Sequence, residues 1–173
     1  QINDADSFIC IEGKYFGGNQ HWFDSSKDGL SLAVSAGCGT VAASNLIADL
    51  AFTVPNKYES LVPFKKDNIT KEKYVEYMES MFEYVYPAAI PFSKGNKPLG
   101  IYSAKKFEKG INAYATNKGF DIHTDRLLNK GFEESVGFIK NNLIMNTPVS
   151  LLIWFNSNLK EYAKHWITII GLI

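Results

Sequence analysis

Cysteine is scarce in this chain: Cys10 and Cys38 are the only two among 173 residues, too few for a disulfide framework. Two readings stay open, a single bridge in an oxidising compartment or a free buried Cys10 with a reactive Cys38, and the local contexts favour the second. Histidine is nearly as sparse, at three, and no group of His, Cys, Asp and Glu has the spacing of a metal site. A Cys-x-x-Cys redox pair and a Gly-x-x-x-x-Gly-Lys nucleotide loop are both missing. No cofactor is implied. Neither sign of charge prevails, with 18 basic and 18 acidic side chains, so no strong field draws nucleic acid or an anionic membrane. No run approaches the roughly 20 apolar residues of a membrane span. The longest, 149–155 and 166–173, have strand length and are broken by Ser150, Thr168 and Gly171. The chain opens at Gln1 without an initiator Met or a leader pattern, which leads us to expect a processed N-terminus and leaves the compartment open.

What is abundant is apolar mass. Hydrophobic residues make up 46% and aromatics 14%, a composition that fits a folded core and not a disordered chain. The length suits one domain. No repeat, low-complexity tract or Pro/Gly linker divides it, so 1–173 is expected to be a single domain, of open oligomeric state. Residues 8–15 alternate loosely and predict a strand or an extended arm, followed by a Gly-rich aromatic turn region from Phe16 to Phe23 that includes Gly17, Gly18, Gln20, His21 and Trp22.

Helical spacing begins after Gly37-Cys38-Gly39, where Ala42, Leu46 and Leu50 recur every four residues and Ala43 and Ile47 widen the stripe. A helix this apolar is expected to run through the centre of the domain, with Cys38 at its N-terminal end. A second helix starts near Asn68 or Thr70, presents Tyr74, Met78, Met81, Phe82 and Val85, and stops at Pro87. A third is capped by Ser103 and ends near Gly119. A fourth carries Phe132, Val136, Ile139 and Leu143. After Asn146-Thr147-Pro148 the pattern turns to β, over 149–155 and, past a polar loop, 165–173. Helices first and strands last predict an α+β fold, with an N-terminal helical lobe and a C-terminal antiparallel β lobe.

Cys38 is the residue with most chemical promise. Gly37 and Gly39 leave room for a substrate backbone beside the sulfur. A helix N-terminus offers free N–H groups and partial positive charge, which favour thiolate and predict a pKa below the ordinary value of about 8.5. The plainer reading is a small buried hydrophobe. His165, at the start of a strand, supplies what a nucleophile needs: a neutral imidazole that takes the thiol proton and returns it to a leaving amine. Its plainer reading is a surface histidine at a strand edge. His21 and His123 are weaker candidates, and Trp22 and Trp166 are expected to wall the cleft.

The block Gly37-Cys38-Gly39-Thr40-Val41-Ala42-Ala43-Ser44-Asn45, with His165-Trp166-Ile167-Thr168-Ile169-Ile170-Gly171 far downstream, resembles bacterial papain-like cysteine peptidases. It is most similar to the branch related to the double-glycine leader peptidases of bacteriocin exporters. The resemblance implies a papain-like fold, a peptide or protein substrate, and a Cys38–His165 pair. It also implies an upstream Gln that donates to the oxyanion, and Gln20, 18 residues before Cys38, matches it in order and aromatic setting. The middle of the chain, 54–129, carries none of the resemblance. The family orients its His with an Asn or Asp on the following strand, and no Asn or Asp follows His165 here. A chain truncated at Ile173 is therefore expected. Two other functions share the same residues: a peptide-binding module without turnover, and an amidase or acyltransferase using the dyad on a small amide.

Overall fold

The computed structural model describes residues 8–27, 29–89, 98–154 and 162–171. Among these the architecture is mixed α+β, with six α-helices and three separate two-stranded antiparallel sheets. Chain order runs β1 (Cys10–Ile11), β2 (Tyr15–Phe16), α1 (Ser31–Ala36), α2 (Cys38–Thr53), α3 (Pro55–Tyr58) and α4 (Lys71–Phe82). It continues through β3 (Ala88–Ala89), β4 (Pro98–Gly100), α5 (Ala104–Asn117), α6 (Phe132–Ile144), β5 (Val149–Ile153) and β6 (His165–Ile169).

The centre is α2. Twelve of its sixteen residues are buried, and small side chains such as Ala42, Ala43 and Ala48 let neighbours approach on every side. Its buried polar groups are satisfied without breaking the helix: the Thr40 hydroxyl donates to the Val85 carbonyl at 2.5 Å and the Ser44 hydroxyl to the Thr40 carbonyl at 3.0 Å. Against one face of α2 lies α4, whose Tyr74 and Tyr77 join Phe64 and Tyr114 in an edge-on and tilted aromatic cluster with centroids 5.4 to 6.1 Å apart. Each hydroxyl of the three tyrosines finds an acceptor, Asn45, the Ser44 carbonyl and the Leu61 carbonyl in turn. Among the described residues no single helix is long and apolar enough to cross a membrane.

The expected helices form, but α4 ends at Phe82, so Val85 and the expected stop at Pro87 lie beyond it. Thr70 caps α4 by accepting the Lys73 N–H, and Ser103 caps α5 by accepting the Lys106 N–H. Gly119, with φ +84°, turns the chain out of α5. Residues 8–15 are not one strand or arm: they hold the first strand, the loop and the start of the second strand of a tight hairpin that pairs Cys10 with Phe16 and Ile11 with Tyr15. A three-residue loop with Glu12 and Gly13 at positive φ makes that reversal.

Strands β5 and β6 pair from Val149–Ile169 to Ile153–His165, which sets His165 at the end of the ladder. The polar loop expected between them falls largely on 155–161, outside the described residues. The helices-then-strands order holds only in outline, because β1–β2 and β3–β4 interrupt it. These hairpins have strands of two or three residues, too short to show a period of two. The fourth predicted helix forms as α6, but of its stripe only Leu143 is buried, and Phe132 in the first turn is 83% exposed.

Candidate active site

Three distant stretches of chain meet at one cleft of about 430 Å³. Gln20, Cys38 and His165 all line it, together with Phe8, Phe16, Asn45 and Thr168. Gln20 arrives on a 3-10 turn, Gln20–Trp22, that follows the β1–β2 hairpin. Cys38 is the first residue of α2, and His165 the first of β6.

The sulfur of Cys38 is buried, and three backbone N–H groups face it, from Trp166, Gly39 and Cys38 itself. Burial nevertheless dominates and pushes the thiol pKa above its ordinary value, with the three N–H groups pulling the other way. The depressed thiol expected from the helix terminus is thus reversed in the resting protein. The reason is competition: α1 ends one residue before α2, so Cys38 starts its helix inside the protein and not at a solvated end. His165 is half-buried, and desolvation lowers its pKa. Both shifts favour the uncharged forms, thiol and imidazole.

Gly37 and Gly39 have a different use from the one their sequence suggests. A Cβ on Gly37 would lie 2.3 Å from the Ala33 carbonyl oxygen, and one on Gly39 would lie 2.5 Å from Ile101 Cδ1 and 3.1 Å from Trp166 Cδ1. They permit close packing of α2 against its own neighbours; both are buried. Trp166 lines the cleft, as expected, while its indole Nε1 donates to the Ile101 carbonyl at 2.7 Å and its ring stacks on Phe107, centroids 4.1 Å apart. Trp22 does not line the cleft; it packs edge-on against Tyr15 at 5.1 Å. The apolar wall is instead supplied by Phe8, Phe16 and Ile170.

The amide of Gln20 uses one N–H to reach the Val34 carbonyl at 3.3 Å, which leaves its second N–H without an acceptor among the described residues. Its Oε1 is buried and accepts no hydrogen bond among the described residues. His21 also lines the cleft, but is exposed. His123 lies elsewhere, exposed and 3.1 Å from Asp125. Of the three histidines, His165 alone is adjacent in sequence to a residue whose N–H faces the Cys38 sulfur. Among the described residues its ring makes no hydrogen bond; Tyr162 lies nearby, with ring centroids 6.3 Å apart.

Two contributors escape the sequence reading. One is the main-chain N–H of Trp166, which no side-chain pattern reveals. The other is Asn45, a buried amide in an apolar helix, whose signal is its spacing: seven residues after Cys38 is 20° short of two turns, so both lie on one face. Behind Trp166 a second cavity of about 520 Å³ opens between α2, α5, α6 and β5, mostly apolar but reached by Asp49. No family of known proteins matches this chain, and neither does any curated protein or solved structure.

Proposed function

We propose that this protein is a papain-like cysteine peptidase, related to the double-glycine leader peptidase branch, that hydrolyses an amide bond of a peptide or protein. The observation that carries the reading is the convergence of Gln20, Cys38 and His165 on one cleft from positions 18 and 127 residues apart along the chain. Apolar packing alone has no need of a thiol, an imidazole and a carboxamide at the same opening.

In this mechanism the Cys38 proton passes to the imidazole of His165 as the sulfur attacks the substrate carbonyl carbon. Because thiol and imidazole both rest uncharged, this transfer accompanies attack and no standing ion pair precedes it. The carbonyl oxygen takes the electron pair of the broken π bond and is held by the Cys38 N–H and the second N–H of Gln20. The imidazolium then protonates the departing amine, which leaves a thioester on Cys38. Water, deprotonated by His165, attacks that thioester and releases the acid and the thiol.

A second reading, a peptide-binding module without turnover, is favoured by the His165 ring, which makes no hydrogen bond among the described residues. One experiment separates them. A mixed peptide library is incubated with the protein and with its Cys38→Ala and His165→Ala variants, and new termini are read by mass spectrometry. Turnover lost in both variants and retained in His21→Ala supports the peptidase. Peptides retained but uncut by the unaltered protein support the binding module.

A further inference from the structure

We infer that Asn45 is the positioning residue of this site: one carboxamide that fastens the arm carrying Gln20 and the strand carrying His165 to the helix carrying Cys38. The inference deepens the peptidase reading and rests on it.

Asn45 lies on the Cys38 face of α2, about 10 Å along the axis from it. Its Oδ1 accepts two hydrogen bonds, from the Gly18 N–H at 3.0 Å and from the Tyr74 hydroxyl at 2.7 Å. Gly18 stands two residues before Gln20, so the first bond fixes the approach of the 3-10 turn. Its Nδ2 donates to the Thr168 hydroxyl at 3.5 Å, on β6 three residues after His165. The Gly18 N–H can only donate, so it decides which end of the amide serves as acceptor, and the Tyr74 bond anchors that same end to α4.

The surroundings are built around this amide. A Cβ on Gly17 would meet Asn45 Nδ2 at 2.7 Å and Oδ1 at 2.9 Å, and one on Gly18 would meet the Met78 sulfur at 2.5 Å and Tyr74 at 2.7 Å. The two glycines let the backbone press against the Asn45–Tyr74 pair, and Gly17 also takes a positive φ of 79°. Among the described residues no other side chain bonds both the Gln20 arm and β6. Asn45 is only slightly exposed and carries no charge, so its value is geometric. Displacing reacting groups by about 1 Å costs on the order of 100-fold in rate.

The test is a thiol measurement first and a turnover measurement second. Iodoacetamide alkylation of Cys38 is followed at pH 7 in the unaltered protein and in the His165→Ala, Asn45→Ala and Thr168→Val variants, with fold checked by circular dichroism. Thr168→Val keeps the shape of the side chain and removes only the acceptor of Nδ2, so it remains informative if Asn45→Ala does not fold. We expect His165→Ala to slow alkylation, and Asn45→Ala and Thr168→Val to move it at least half-way to the His165→Ala rate. On peptides, Asn45→Ala should lower kcat about 100-fold while KM moves less than about threefold, and Asn45→Gln, one methylene too long, should not restore it. If His165→Ala alkylates like the unaltered protein, the peptidase reading falls and the role of Asn45 with it. If alkylation depends on His165 but both Thr168→Val and any folded Asn45→Ala keep the unaltered rate, the role of Asn45 alone is overturned.

Discussion

The main-chain N–H of Trp166 faces the sulfur of Cys38, joining the first turn of the central helix to the strand that begins at His165. That donor would steady a thiolate, yet burial outweighs it and raises the thiol pKa, while desolvation lowers that of His165. The signs agree on one outcome. Between the lowered imidazole pKa and the raised thiol pKa, the free protein holds both groups neutral. Cys38 alkylation is therefore expected to keep climbing with pH through the ordinary thiol value of about 8.5. A standing thiolate–imidazolium pair would instead give a plateau beginning in the acid range. Rates from pH 5 to 10, with Cys38 identified by peptide mapping, decide between the two shapes.

The same competition explains what the sequence discloses and what it hides. The 3.6-residue stripe through Ala42, Leu46 and Leu50 announces α2, and the caps at Thr70 and Ser103 announce α4 and α5, because periodicity and capping are local. Gln20, Cys38 and His165 are legible as residue types, and they do line one cleft. What is not legible depends on neighbours far along the chain. Gly39 looks like an opening for substrate until Ile101 and Trp166 fill the space beside it. Cys38 looks activated until burial reverses its shift. Asn45 looks like one more helix residue until Gly18, Tyr74 and Thr168 arrive from three directions. The β1–β2 and β3–β4 hairpins are too short to leave any pattern.

Asp49 gives a pH effect on stability of definite sign. It sits three turns beyond Cys38 on α2, is 8% exposed, and burial raises its pKa from 3.8 to about 6, against the opposing pull of the Thr53 hydroxyl and the charge of Lys66. A raised carboxyl holds its proton more tightly when folded. Its stabilising contribution is complete below the unfolded pKa near 4 and is lost as pH rises to about 6. The whole effect is on the order of 3 kcal/mol. Asp49→Asn keeps an acceptor for the Thr53 hydroxyl and removes the titration. Urea unfolding at pH 4 and pH 7.5 should show the variant gaining on the unaltered protein by about 1–3 kcal/mol at the higher pH. An equal difference at both pH values would show that Asp49 titrates normally.

Gly39 offers the sharpest check on the packing that frames the site. Replacing glycine by alanine within a helix ordinarily stabilises by up to about 1 kcal/mol. Here the new methyl would lie 2.5 Å from Ile101 Cδ1, with Ile101 Cβ at 3.2 Å and Trp166 Cδ1 at 3.1 Å. Overpacking of this kind costs about 1–3 kcal/mol, so Gly39→Ala is expected to destabilise despite its better helix propensity. Ile101→Val deletes the offending Cδ1 and alone costs about 0.5–1.5 kcal/mol as a large-to-small change. In the double variant the added methyl occupies the space that Cδ1 leaves, so the two losses should fall short of additivity by about 1 kcal/mol. Strict additivity in urea unfolding would mean that Gly39 and Ile101 do not touch. The consequence reaches the chemistry, because the Gly39 N–H faces the Cys38 sulfur and Ile101 holds the Trp166 indole through its carbonyl. A methyl that pushes these apart withdraws two of the three N–H groups around the sulfur. Gly39→Ala should therefore also alter the Cys38 alkylation profile, and the double variant should restore it.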